Sequence, residues 1–232
     1  ERVAVARGEV HMQPETLQLD GDAAIRQRSE RSVTHLAGGR IRIEFQAGSA
    51  APAIDRITVL DQGRVTATSA GGDEYQAAAD ELTMQYDAVG RFPAKAEGRG
   101  RGDCRLLRPA RKETTTVQAD RFQVEFFPDS ADASAFEAEG NVRLRRTGEG
   151  GRWSEATGRS LIGSLRPKER NRIETMVLKG GVTYTDPERQ GRAADASLKD
   201  DLLRLKGEPR LEIGGAVTRA ETFVYDVGRR TL

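Results

Sequence analysis

Apolar and small residues recur two apart along much of the chain, with charged or polar residues between them. The clearest copies are Phe136, Ala138, Gly140, Val142, Leu144, then Met176, Leu178, Gly180, Val182, Tyr184, then Leu203, Leu205, Gly207, Pro209, Leu211. Weaker copies sit at Ala4, Ala6, Gly8, Val10, Met12, at Ala37, Gly39, Ile41, Ile43, and at Val59, Gly63, Val65, Ala67. A period of two is that of a strand with one face on a core and the other in water. Arg143 and Arg145, or Arg204, Lys206, Glu208 and Arg210, fill the water-facing positions. Successive central glycines stand 24 residues apart from Gly39 to Gly63 and 40 apart from Gly140 to Gly180. The expected unit is therefore a supersecondary element, not a solenoid coil of fixed length.

A second pattern alternates with the first, and in it the apolar phase slips by one. Ala77 and Ala79 precede Leu82, Met84 and Tyr86; Val117 and Ala119 precede Phe122, Val124 and Phe126; Thr218 and Ala220 precede Phe223, Tyr225 and Val227. Looser copies lead from Gly158 to Leu161 and Leu165, and from Ala193 to Ala196 and Leu198. A phase change inside an alternating strand is what a β-bulge or a corner between sheets produces. Helix is the competing reading over Tyr75, Ala79, Leu82 and Tyr86 and over Ala194, Leu198 and Leu202, where the spacing also suits 3.6 residues per turn. The equivalent copy from Val117 to Phe127 is rich in Val and Phe, which favours strand throughout.

Turn signals separate the strands at Gly71-Gly72, Pro128-Asp129, Gly148 to Gly151, Asp186-Pro187 and Gly214-Gly215. Short strands with turns every 8 to 12 residues or so predict an all-β sandwich or jelly roll. Gly98 to Gly102 and Arg108 to Lys112 read as a loop or a weak boundary, and one elongated domain over 1–232 is the simpler organisation.

The 232 residues carry 37 Lys+Arg against 36 Asp+Glu, a net charge of +1, which argues against a general nucleic-acid binder. With 37% hydrophobic residues and 25 glycines the chain falls in the globular range. No run approaches the length of a membrane-spanning helix. A start at Glu1 is what a removed signal or anchor, or an excised segment, produces.

The chemistry for catalysis is thin. His11 and His35 are not spaced as a metal pair and Cys104 has no CxxC companion, so neither a metal site nor a cofactor is expected. Glu137 with Glu139 and Asp200 with Asp201 are carboxylate pairs of the kind glycosidases use, but they fall on a polar strand face and at an expected turn. Arg101-Gly102-Asp103 matches an adhesion tripeptide within a Gly/Arg-rich loop, too short a match to count. A non-enzymatic protein is expected.

The ordered alternation resembles the OstA-like jelly roll of the lipopolysaccharide-transport (Lpt) system. It is carried by Ala79-Asp80-Glu81-Leu82, Ala119-Asp120-Arg121-Phe122 and Ala220-Glu221-Thr222-Phe223, and by Ala138-Glu139-Gly140-Asn141-Val142 and Lys179-Gly180-Gly181-Val182. It is best from about Gln76 to Leu232, and residues 1–72 fit less well. The resemblance implies an elongated antiparallel β-jellyroll, a folded-over two-sheet sandwich in the periplasm, whose apolar interior shields the lipid A acyl chains of lipopolysaccharide. It also implies head-to-tail joining to other Lpt jellyroll proteins, or to copies of itself, through exposed terminal strands.

On that reading the lipid-facing residues are Phe122, Val124, Phe126, Phe136, Val142, Leu144, Met176, Leu178, Val182 and Tyr184, each with the alternative that it packs a closed interior. The partner edges are the strands around Ala4, Ala6 and Val10 and around Ala220, Phe223 and Tyr225. Basic residues at Arg143, Arg145 and Arg146, and at Arg166, Lys168, Arg170 and Arg172, are candidates for lipid phosphates or acidic sugars, or form a solvated face. Two other classes compete. A carbohydrate-binding jelly roll would need aromatic platforms, for which Trp153 and four tyrosines are a poor supply. A structural assembly module would use strand addition without lipid.

Overall fold

Alternation with β-branched and aromatic residues on one face favours extended backbone throughout, and the computed structural model of the chain is all-β. It describes residues 2–28, 32–48, 53–69, 72–128, 130–166, 173–200 and 202–226. The strands are β1 (Arg2–Val5), β2 (Val10–Gln13), β3 (Thr16–Arg28), β4 (Ser32–Phe45), β5 (Ile54–Ser69), β6 (Glu74–Tyr86), β7 (Pro93–Arg108) and β8 (Glu113–Phe126). They continue as β9 (Ala133–Thr147), β10 (Trp153–Leu165), β11 (Ile173–Thr185), β12 (Arg189–Lys199), β13 (Leu202–Lys206), β14 (Arg210–Ile213), β15 (Ala216–Arg219) and β16 (Thr222–Asp226). All 16 belong to one open antiparallel sheet whose neighbours follow chain order from β1 and β2 to β15 and β16. Tyr75 to Tyr86 and Ala194 to Lys199 are strand, Asp200 is a turn residue and Leu202 opens β13, so among the described residues neither stretch is helix.

Each long strand is bent near its middle, where the register with both neighbours skips. On β3, β5, β7, β9 and β11 the bend contains two successive left-handed residues: Gly21-Asp22, Asp61-Gln62, Gly100-Arg101, Gly140-Asn141 and Gly180-Gly181. The odd-numbered strand carries one residue more than its partner at the bend, so each is a β-bulge. These corners lie 39 or 40 residues apart, so this stretch repeats at a nearly constant two-strand period, unlike the variable spacing expected from the glycines. The expectation failed because Gly39 and Gly63 are not the left-handed residues: Asp61 and Gln62 turn the corner of β5. The phase of β4 differs too. Leu36, not Ala37, is buried on the inner side, so β4 belongs to the slipped pattern.

The slipped strands supply the other half of each corner. A Cβ on Gly100 would collide with the Asp80 carboxylate, and one on Gly140 with that of Asp120. Arg101 Nη2 donates to Asp80 Oδ1 at 2.6 Å and Asn141 Nδ2 to Asp120 Oδ2 at 2.9 Å. The Ala-Asp pairs of the sequence pattern are thus corner fittings. At the sheet ends the bend divides one chain run into two short strands, β1 with β2, β13 with β14, and β15 with β16.

The corners split the sheet into two leaves. The first holds β1, the halves of β3, β5, β7, β9 and β11 after their corners, the halves of β4, β6, β8, β10 and β12 before theirs, and β14 and β15. The second holds the complementary halves with β2, β13 and β16. Side chains join the leaves near both ends. Tyr86 Oη, in the second leaf, donates to Gln27 Oε1 in the first at 3.3 Å, and Arg2 Nη2 donates to the Gly90 carbonyl at 2.8 Å. Near the last strands Arg189 Nη1 donates to Tyr225 Oη at 3.1 Å.

Gly98 to Gly102 forms the corner of β7, and β7 pairs along both halves with β6 and β8. Arg101-Gly102-Asp103 therefore lies inside a strand and not in a loop, with Gly102 buried. Arg108 to Lys112 is the next turn, built around a short 3-10 segment, Pro109–Arg111. Of the expected turn residues, Gly71 and Asp129 lie outside the described residues.

Candidate functional site

Register places the inner-face side chains in rows that cross the sheet. The row nearest the corner in the second leaf runs Leu19, Ile41, Val59, Leu82, Gly98, Phe122, Ala138, Leu161, Leu178, Ala196, Leu205. All of these are buried. Large side chains in these rows fill space beside glycines on neighbouring strands. Phe122 occupies the volume that a side chain at Gly98 or Gly102 would need, Phe136 does so for Gly163, and Leu178 for Gly158.

One row farther from the corner the two ends of the sheet differ. Toward the N-terminus this row still holds buried Ile43 and Ile57 in the second leaf and buried Ile25 and Leu36 in the first. Along β8, β9 and β11 it holds Val124, Phe136 and Met176 in the second leaf and Val117 and Leu144 in the first, all half-buried. Apolar lining thus extends beyond the part of the interior that closes on itself. Toward the rim of the first leaf the inner face turns ionic. Glu113 accepts from Arg108 Nη1 at 3.2 Å and pairs with Arg146 Nη2 at 2.7 Å, with only 10% of its side chain exposed.

The sequence-predicted lipid residues divide accordingly. Phe122, Val142, Leu178 and Val182 are buried beside the corners, whereas Val124, Phe126, Phe136, Leu144 and Met176 are half-buried farther out. Tyr184 is half-buried as well, but its hydroxyl donates to Asp186 Oδ2 at 2.8 Å. That carboxylate also accepts from the Glu188 and Arg189 backbone N–H groups and from Arg189 Nε. Burial works to raise the Asp186 pKa, but the Tyr184 hydroxyl, the Glu188 N–H and the Arg189 guanidinium outweigh it and hold the carboxyl below its ordinary range. Burial, then the bond to Asp186, pushes the Tyr184 phenol well up. Arg189 stacks on Tyr225, 5.3 Å from the ring centroid, so Tyr184 belongs to a polar latch between leaves.

At the opposite end burial raises the Tyr86 phenol to about 12, so it stays protonated and donates to Gln27. Cys104 lies on the inner face between Ala77 and Val117, where burial and the Asp103 charge push its thiol to about 12. Such a thiol is a packing group.

Of the edge residues named from sequence, Ala4, Val10, Phe223 and Tyr225 sit on the outermost strands, whereas Ala6 and Ala220 fall in the links between β1 and β2 and between β15 and β16. Ala4 and Val10 are exposed, and Ala6, Ala220, Phe223 and Tyr225 are half-buried. Large exposed apolar residues gather at these two ends: Val3, Val5, Val10 and Met12 at one, and Leu202, Ile213, Val217 and Val224 at the other. Val227 lies outside the described residues.

Among the basic residues, Arg143 is paired with Glu155 at 2.8 Å and Arg146 with Glu113, while Arg145 stacks on Trp153. Arg166 reaches Asp200 at 2.7 Å; Lys168, Arg170, Arg172 and Asp201 lie outside the described residues. His11 sits 3.1 Å from Glu9 Oε2 on an exposed strand, and His35 is exposed. No group of three or more metal-ligating side chains occurs among the described residues.

Sequence reasoning named Arg145 among candidates for phosphates or acidic sugars but missed the outer-face groove it lines with Asp103, Arg105, Thr114, Thr116 and Thr147. Its available signal was Thr114 and Thr116 two apart on the polar face of β8. No family model, curated protein or solved structure matches the chain.

Proposed function

We propose that the chain is a non-enzymatic periplasmic carrier, a single OstA-like folded-over jelly roll that holds the acyl chains of lipopolysaccharide between its leaves. Neighbouring jelly rolls, including further copies of this chain, add to its end strands. The observation that carries this reading is the row of half-buried apolar side chains on β8, β9 and β11, from Val117 and Leu144 to Val124, Phe136 and Met176. Each methylene that leaves water against such a surface gains about 0.8 kcal/mol, so lipid can complete a core that the protein leaves unfinished. The ionic rim of Arg108, Glu113 and Arg146 gives this interior the amphipathic character that a glycolipid requires. The unpaired outer sides of the end strands, with their exposed valines, suit strand addition.

A photo-crosslinking residue at Phe126, Phe136 or Met176 is expected to label lipopolysaccharide. The same residue at buried Leu178, or at Ile162, 47% exposed on the outer face, is expected to label it weakly or not at all. Labelling of protein alone from all positions favours the structural assembly module. Equal labelling of lipid from Ile162 removes the interior site.

A further inference from the structure

On the outer face of the first leaf, β7, β8 and β9 frame a depression of about 290 Å³ lined by Asp103, Arg105, Thr114, Thr116, Arg145 and Thr147. Register sets Arg105, Thr116 and Arg145 opposite one another on one rung, with Thr114 opposite Thr147 on the next. Strands lie 4.7–4.9 Å apart, so the two arginine backbones stand about 10 Å apart with a threonine between them. Two guanidinium groups at that separation can close on one oxyanion from either side.

These two arginines differ from their neighbours. Arg108, Arg143 and Arg146 each meet a carboxylate at 3.2 Å or less. Among the described residues the Arg105 guanidinium has no hydrogen-bond or ion-pair partner, and that of Arg145 meets no carboxylate. The Arg145 guanidinium lies over the ring of Trp153, 5.7 Å from its centroid, which positions it while leaving its N–H donors available. Asp103 is held by Gln118, whose Nε2 donates to Oδ2 at 2.8 Å. The Thr114, Thr116 and Thr147 hydroxyls bond no other described side chain.

We propose that this groove binds a saccharide carrying a phosphate or carboxylate. Arg105 and Arg145 grip the anionic group, for which the guanidinium fork is suited. The threonine hydroxyls and the second oxygen of Asp103 meet sugar hydroxyls. The site lies on the opposite face of the sheet from the acyl-chain interior, so it stands or falls independently of that proposal.

Trp153, the single tryptophan of the sequence, reports on the groove by fluorescence, and backbone amide shifts locate the binding. The whole 232-residue chain is titrated with glucose 6-phosphate, glucuronate, inorganic phosphate and glucose. Glucose 6-phosphate and glucuronate are expected to shift the amides of Arg105, Thr116 and Arg145, with affinity falling as salt rises, while glucose leaves them in place. Arg105→Gln and Arg145→Gln are each expected to weaken binding about tenfold or more, as loss of a charge-assisted pair does. Arg105→Gln leaves the Trp153 contact untouched and keeps the test free of a local folding defect. Thr116→Val is expected to weaken glucose 6-phosphate more than inorganic phosphate. Absence of binding, binding unchanged by Arg105→Gln and Arg145→Gln together, or inorganic phosphate binding as tightly as glucose 6-phosphate overturns the proposal.

Discussion

The inner rows make a specific demand on Gly98. It faces Phe122 directly across the β7–β8 pair, and a Cβ built there would stand 2.9 Å from Phe122 Cδ1 and closer still to Cε1 and Cζ. The residue is 5% exposed and its ring also lies against Gly102, where a Cβ would come within 2.7 Å of Cδ1, so it has little room to move. The backbone at Gly98 is not left-handed, so Gly98→Ala tests crowding and not conformational strain. Overpacking of this kind costs about 1–3 kcal/mol. With a urea slope of about 3 kcal/mol per molar, at the upper end of the usual range as suits a chain of this size, the midpoint should fall by roughly 0.3–1 M. Gly148→Ala is the control: φ is −127° and nothing lies within 4 Å of its Cβ, so it should be neutral or stabilise by up to about 1 kcal/mol through the unfolded chain. Phe122→Leu should lose packing by itself yet offset much of the Gly98→Ala penalty when the two are combined, a coupling of about 1 kcal/mol or more. The measurement is equilibrium urea unfolding followed by circular dichroism. If Gly98→Ala behaves like Gly148→Ala, or its penalty simply adds to that of Phe122→Leu, the large-against-glycine packing of the inner rows is refuted.

Three further outcomes follow from named contacts. Cys104, with its thiol raised to about 12, should react with an aromatic disulfide at neutral pH at least about a hundredfold more slowly in the folded than in the urea-unfolded chain; rates within a few-fold of each other contradict its burial. Asp186 has a folded pKa below its ordinary 3.8, so its contribution is present above that value and is lost as pH falls through the folded pKa. Asp186→Asn should therefore flatten the acid limb of stability below about pH 4 and loosen β16, read by hydrogen exchange at Phe223 and Tyr225; an unchanged acid slope removes the latch from this role. Val217→Lys, on the outer edge strand β15, should shift concentration-dependent assemblies toward monomer without moving the urea midpoint, since lysine on an edge opposes strand addition. An unaltered size distribution in analytical ultracentrifugation counts against end-to-end pairing there.

The chain's own pattern marked the strands and the bends of β6 and β8, but the β7 corner at Gly98 to Gly102 read as a loop. The slip from Ala79 to Leu82 and from Ala119 to Phe122 marks where β6 and β8 bend, because side-chain direction alternates with a period of two and any change of phase is written locally. Local pattern failed at β4 and β5, where Leu36 is buried in place of Ala37 and Asp61 with Gln62 turns the corner in place of Gly63; a left-handed residue need not be glycine, and a corner shared between strands is not visible in either alone. The tertiary structure decided the rest, since register between strands selects partners. It joins Arg143 to Glu155 and Arg146 to Glu113 but leaves Arg145 over Trp153 in a groove with Arg105. The approach of the leaves determines how far burial reaches, sealing Phe122, Leu178 and Val182 at the corner while Val124, Phe136 and Met176 stay half-buried. It also draws Tyr184 into a latch with Asp186, Arg189 and Tyr225 that no periodicity announces, because those side chains meet through the bend of the sheet and not through their spacing in the chain.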